Sequence, residues 1–459
     1  MKLLGAAIGT IGVCMLGAAA LGQDLGVKSP PQSGTIVIEN AMIHPISGPD
    51  VASGHIVFDH GRITAIVAGR YSARGGQRPT VIDATGKHVY PGLIAASTLM
   101  GLMEIGAVRA TLDYSEVGSV SPEVRAAVAV NPDSTVIPVT RSNGILACGV
   151  MPLGGPIPAR ASVIRMEGWT WEDMTVLDDA GLIVNWPNLR PVRGFFAAQR
   201  TDEEQAEEMR KNLEAIEQAF HAARAYLKAK AADPRVATDV RWEAMRGAIE
   251  QGKTVFIRAD ELEQIQSAVS WATSNGLKPV IVGGRDAAAA IDLLKRHNIP
   301  VIVGGTHRLP SKADGAYDSL FALPALLENE GIRWCLASSG SGRDTPHERN
   351  LPYHAASAVA YGLSPEAALK SITLSAAQIL GVADSLGSLE SGKAATLIVT
   401  DGNPLEITTK VERAFIDGRE IDLTNKHTAL DAKYREKYRQ LKETPKQTTG
   451  TNGSGAQGN

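Results

Sequence analysis

The side chains able to do chemistry are few and scattered. Of ten histidines, His307 alone follows an apolar run directly, after Gly304-Gly305-Thr306, which places an imidazole at a strand end. His347-Glu348 opens like the helical zinc-protease motif, but Leu351 stands where the second His belongs. His347 and His354 bracket Pro352 near a helix start, His221 and His297 fall on outer helices, and His427 lies beyond the last strand. His44, His55, His60 and His88 lie on or near short strands. Ser97, Ser338 and Ser339 also follow apolar runs, yet none sits in a Gly-x-Ser-x-Gly elbow, and a serine nucleophile needs a neighbouring base. For a hydrolytic step the candidate polar groups are His307, Asp260 and Asp344.

Arginines recur just past the apolar runs, at Arg258, Arg285, Arg308 and Arg343. Guanidinium forks match carboxylate, sulfate and phosphate oxygens. Arg258, His307, Arg308, Ser338, Ser339 and Arg343 are therefore the expected ligand-binding set, for a small anionic or cyclic ligand. Asp260, Glu261, Asp286 and Asp344 stand beside them, so internal ion pairs are the competing use. Gly387 to Lys393 fits a phosphate-loop pattern, but Ala394 replaces the Ser or Thr that holds magnesium and a strand follows, so it reads as a turn. Trp169 and Trp171 would share a face if extended; alternatively, Thr170 caps a helix. Asp113, Tyr114, Glu116 and Arg141 are left for an unplaced pocket.

The elements that would carry these groups fall into two kinds. Thr35–Glu39, His55–Phe58, Ile63–Val67 and Thr80–Asp83 read as short strands, with Asp59-His60-Gly61-Arg62 as a hairpin turn. Strands return at Thr396–Thr400 and Val411–Ile416. Between them, apolar runs such as Val89–Ile94, Gly144–Val150, Ser162–Met166, Thr254–Ile257, Pro279–Val282, Pro300–Val303 and Trp334–Ala337 alternate with helical stretches. Buried runs punctuated by helices indicate parallel β/α units, and their extent suits a barrel of roughly 250 residues. Thr201 to Ala231 reads as a solvated outer helix, and Asp431 to Glu443 as a charged one.

In this order the motifs resemble the amidohydrolase superfamily, in its imidazolonepropionase-like branch. The resemblance rests on Val89-Tyr90-Pro91-Gly92-Leu93-Ile94, on Gly362–Leu369 with Ala376–Gly381, and on Gly387–Leu397 with Asp401-Gly402-Asn403-Pro404-Leu405. It implies an α/β fold: a (β/α)8 TIM-like barrel plus a small β-sandwich-like composite domain formed by both ends of the chain. It also implies metal-dependent hydrolysis of non-peptide C–N bonds in cyclic amides, with a bound water as nucleophile. The family's ligands are a His-x-His pair after the first strand, further histidines, and an Asp after the last. Here Ser97 and Leu99 take the first two places, Arg258 and Gly284 the next, and Ser339 the last. The expectation is a degenerate site without cofactor, in a ligand-binding or non-catalytic homologue. The alternatives are an active C–N hydrolase with a non-standard site, where zinc would enter, and a structural or envelope-associated protein.

Composition bounds the rest. A formal charge of −3 over 459 residues excludes a backbone-reading nucleic-acid binder. Met1-Lys2 followed by the apolar Leu3–Leu21 reads as a signal peptide cleaved near Gln23, hence export to a periplasmic or extracellular location without stable membrane insertion afterwards. With Cys14 removed, Cys148 and Cys335 remain, too few for a disulfide framework. The expected division is signal peptide 1–22, linker 23–34, composite domain 35–87 and 386–423, barrel 88–385, and charged helix with polar tail 424–459. Homo-oligomerisation is compatible with all of this.

Overall fold

The computed structural model describes residues 24, 26–72, 78–192, 200–310 and 314–443. The expected signal peptide with its cleavage point, and the expected polar tail after 443, lie outside them.

The first sheet draws strands from both ends of the chain. It contains β1 (Ile36–Ile43), β2 (Val51–Asp59), β3 (Arg62–Ala68), β4 (Thr80–Asp83) and β5 (His88–Pro91). Beside β5 lie the late strands Leu397–Thr400, Val411–Ile416 and Arg419–Glu420 in an antiparallel meander. The β2–β3 turn is His60-Gly61, both at positive φ (46° and 77°), the backbone that matches the twist of a two-residue hairpin. Phe58 from the early strands meets Phe415 from the late ones edge to face, with ring centroids 5.3 Å apart, inside a core with Ile38, Ile56 and Leu397.

The run Val89–Ile94, read above as one barrel strand, is divided between the two sheets. β5 ends at Pro91 and pairs with Leu397–Thr400, while β6 (Leu93–Thr98) opens the barrel. The hinge is Gly92, whose amide donates to Thr396 O at 3.0 Å and where a Cβ would lie 2.8 Å from Leu146 Cβ. His88–Pro91 therefore belongs to the composite sheet.

The second sheet holds eight strands in sequence order: β6, then β7 (Ile145–Val150), β8 (Arg160–Arg165), β9 (Thr175–Asn185), β10 (Thr254–Ala259), β11 (Lys278–Gly283), β12 (Val301–Gly304) and β13 (Trp334–Ala337). β6 and β13 come together without ladder pairing, so the ring is nearly closed. Alternation sorts the side chains: Ile94, Ile183, Phe256, Ile302 and Cys335 fill the interior, while Val255, Ile257 and Leu336 pack outward with the surrounding helices. One strand departs from the expected β/α pattern: β8 runs antiparallel to both β7 and β9. Seven strands thus run in the common direction.

The helix Asp202–Ala232 begins on a capping box between Thr201 and Glu204 and buries Ile216, Phe220 and Leu227 on one face. Trp169 and Trp171 share no platform. Thr170 caps the short helix Trp171–Met174, Trp171 packs under Arg125, and Trp169 stays exposed. Gly387–Lys393 is a turn leading to a strand. The last helix is longer than expected, Lys426–Glu443. Cys148 and Cys335 are buried free thiols.

Candidate functional site at the barrel mouth

The C-terminal ends of the parallel strands meet at one rim, where barrels of this kind carry their chemistry. At the end of β10, Arg258 spans the opening. Its Nη1 donates to Pro152 O and to Asn185 Oδ1, both at 2.8 Å, and its Nη2 to Met151 O at 2.6 Å. Asn185 in turn donates to Gly155 O at 2.7 Å. Burial alone pulls the guanidinium down to about 10, and among the described residues no carboxylate offsets its charge. As the first ligand-binding candidate Arg258 is corrected: its fork is committed to carbonyls, and it brackets β10 to the end of β7. Immediately outside this bracket lies a cleft of about 560 Å³, lined in part by Glu116, Ser119, Asn185 and Asn188. Arg141, by contrast, is buried elsewhere in an ion pair with Glu167.

The β11 and β12 ends are built from glycine. Gly283 and Gly284 have φ of 106° and 62°, and a Cβ on Gly284 would lie 2.7 Å from Val301 Cγ1, so no ligand side chain fits there. Asp260 receives the Arg285 amide at 3.3 Å and lies 3.8 Å from Arg308, while Arg285 pairs with Glu261 at 3.4 Å. Glu261 thus neutralises Arg285, while Asp260 faces Arg308 across a longer gap. Arg343 differs: its guanidinium makes no ion pair or hydrogen bond among the described residues, and the residue is exposed.

The densest polar cluster lies past β12 and β13. His354, on the helix Leu351–Ala360, accepts the backbone amides of Thr306 and His307 on Nδ1 at 3.2 and 3.3 Å. Two donors on Nδ1 place the proton of the neutral ring on Nε2. Burial, and after it the neighbouring His307, push His354 down to about 4, against an opposing pull from Asp344. The His307 and His354 rings lie 4.1 Å apart, and His307 Nε2 meets Ser357 Oγ at 2.7 Å. Ser339 Oγ contacts Asp344 Oδ2, which also receives Ser341 Oγ at 3.2 Å.

Of the serine pair, only Ser339 joins this cluster. Ser338 is buried and donates to Glu348 Oε2 at 2.8 Å, which removes it from the ligand-binding set. Leu99 is fully buried in the outer packing, and Ser97 is buried with its Oγ unpaired, close to where a Cβ on Gly340 would stand. Ser97, Leu99, Arg258, Gly284 and Ser339 thus supply no imidazole or carboxylate to the rim. Among the described residues no group of three or more His, Cys, Asp or Glu is placed to hold a metal ion.

An α/β barrel completed by a sheet from both chain ends is the architecture of the amidohydrolase hydrolases, and the chain belongs to that family. The amidohydrolase family profile matches residues 176–421. Amidohydrolase tasK of Hapsidospora irregularis is 21% identical over 399 residues, 80% of this chain and 39% of that protein. The imidazolonepropionase of Mesorhizobium japonicum is 25% identical over 150 residues, 33% of this chain and 35% of that enzyme. The chain therefore spans about two-fifths of the length of these relatives, or less. Among solved structures, an amidohydrolase from Thermotoga maritima MSB8 superposes with a TM-score of 0.73 at 26% identity, covering 84% of this chain and 99% of that one.

Proposed function

We propose that this is an exported amidohydrolase-family protein whose barrel mouth binds a small anionic or cyclic ligand without the family's metal chemistry. The observation that carries the reading is Arg258. A fixed cation, without a carboxylate beside it among the described residues, stands where the family places an imidazole, and it would repel a divalent ion. Arg343, free of partners among the described residues, and Arg308, which lies 3.8 Å from Asp260 and donates to Gly304 O at 3.3 Å, are the cations left for an anion.

A second reading, an active hydrolase of C–N bonds, is favoured by one feature. Ser339, Asp344 and His307 lie at the same rim, and burial lowers the affinity of His307 for a proton, which favours the neutral form a base needs. In it His307 and Asp344 keep their candidate roles, while His354, whose Nδ1 lone pair is taken by two backbone amides, holds the β12 loop in place.

Two measurements separate these readings. Zinc titration by calorimetry is expected to give no saturable binding; one bound equivalent, lost in His307→Ala, would favour the hydrolase. A thermal-shift panel of sulfate and small carboxylates is expected to raise the melting temperature of the parent but not of Arg343→Ala. An unchanged melting temperature across the panel would remove the binding reading.

A further inference from the structure

The helix Lys426–Glu443 leaves the body with none of its residues buried. Its start is tethered, with Lys426 Nζ donating to Thr135 Oγ1 at 3.2 Å. Beyond that it carries a stripe that nothing described covers: Leu430, Tyr434, Tyr438 and Leu441 are 47%, 49%, 58% and 60% exposed. At 100° per residue these four fall within an arc of about 80°.

The charges around that stripe are sorted. Six Lys or Arg stand against three acids, a net charge of +3. All three acids are held by arginines: Asp431 by Arg435 at 2.7 Å, Glu436 and Glu443 by Arg439 at 2.7 and 2.6 Å. Arg439 and its two partners occupy the side away from the stripe, while Asp431, paired with Arg435, borders it. The four lysines, 426, 433, 437 and 442, all border it and form no ion pair among the described residues, although Glu104 feels the charge of Lys426. Lys437 Nζ lies 5.7 and 5.9 Å from the Tyr434 and Tyr438 rings, so cation and aromatics form one face.

We infer that this face adsorbs to an anionic phospholipid surface. Tyrosine and leucine flanked by lysine is the composition that settles at a headgroup boundary, the rings at the interface and the ammonium groups on phosphates. A second copy of the same helix fits worse, because pairing two such stripes would set lysine borders against lysine borders. The contact is superficial: no described helix is long and apolar enough to cross a membrane.

Flotation of the full chain with vesicles tests this. The parent is expected to float with phosphatidylcholine–phosphatidylglycerol vesicles and not with phosphatidylcholine alone, and to be released by salt. Each lysine at such a surface contributes about fivefold in affinity. Lys433→Glu/Lys437→Glu/Lys442→Glu should therefore abolish flotation, while Tyr434→Ser/Leu441→Ser weakens it, with circular dichroism confirming that both remain folded. Equal recovery with both vesicle types, flotation with neither, or flotation retained by the triple variant would overturn the inference. So would a low-salt dimer in sedimentation velocity that the triple variant dissolves while vesicles recruit nothing, since the face would then serve a protein partner.

Discussion

Arg258 Nη1 lies 2.8 Å from Asn185 Oδ1, joining the ends of neighbouring strands β10 and β9. The same guanidinium holds Met151 O and Pro152 O, so a single side chain closes the rim across three chain segments. Arg258→Ala leaves three acceptors without their donor and should cost about 2–4 kcal/mol in urea unfolding. Arg258→Lys should recover only part, because an ammonium lacks the planar fork. A fully stable Arg258→Ala would show that the bracket carries no strain-bearing load.

Glu348 is the buried acid of this region. Burial is the main cause that lifts it to about 7, while the Ser338 and Thr98 hydroxyls pull the other way. The unfolded chain releases this proton near 4.5, whereas the fold keeps it until about 7. Stability from this group therefore falls as pH rises through that window and is level above it. Glu348→Gln should gain on the parent between pH 5 and pH 8, by at most about 3 kcal/mol, read from denaturant unfolding at both ends.

His354 has the opposite sign. Its folded form resists protonation down to about 4, while the unfolded chain takes up a proton near 6.5. Its contribution is complete above 6.5 and drains away as pH falls towards 4. His354→Asn keeps an acceptor near Nδ1 without titrating, so its acid limb should be shallower than the parent's. Because the two slopes oppose each other, the parent curve alone hides both, and the single variants must be compared. Identical acid limbs would place the sensitive group elsewhere.

Gly149 tests the packing between β6 and β7. A Cβ there would stand 2.5 Å from Ala96 O and 2.9 Å from Leu380 Cδ2. Backbone cannot yield as a side chain can, so Gly149→Ala should lower stability by about 1–3 kcal/mol. A melting temperature equal to the parent's would count against the closeness of this contact.

Periodicity made both sheets legible, down to the His60-Gly61 turn. The antiparallel β8 was also within reach: only residues 151–159 separate β7 from β8, too few for the dozen or more that a parallel crossover requires. Strand parity could have separated the serines, since Cys335 and Ala337 face inward and Ser339, not Ser338, continues their side. Two features had no local signal. His354 reaches Thr306 from 48 residues away, and the carbonyls that occupy Arg258 lie more than a hundred residues earlier. Such long-range contacts carry no trace in spacing or composition.

β5 meets its neighbour Leu397–Thr400 only after the whole barrel has intervened. On a ribosome, the edge of β5 therefore stands open until every strand of the barrel has been made. A nascent chain halted before that point would present unpaired backbone to any passing strand, so making the strands that follow the barrel doubles as the step that seals the first domain begun.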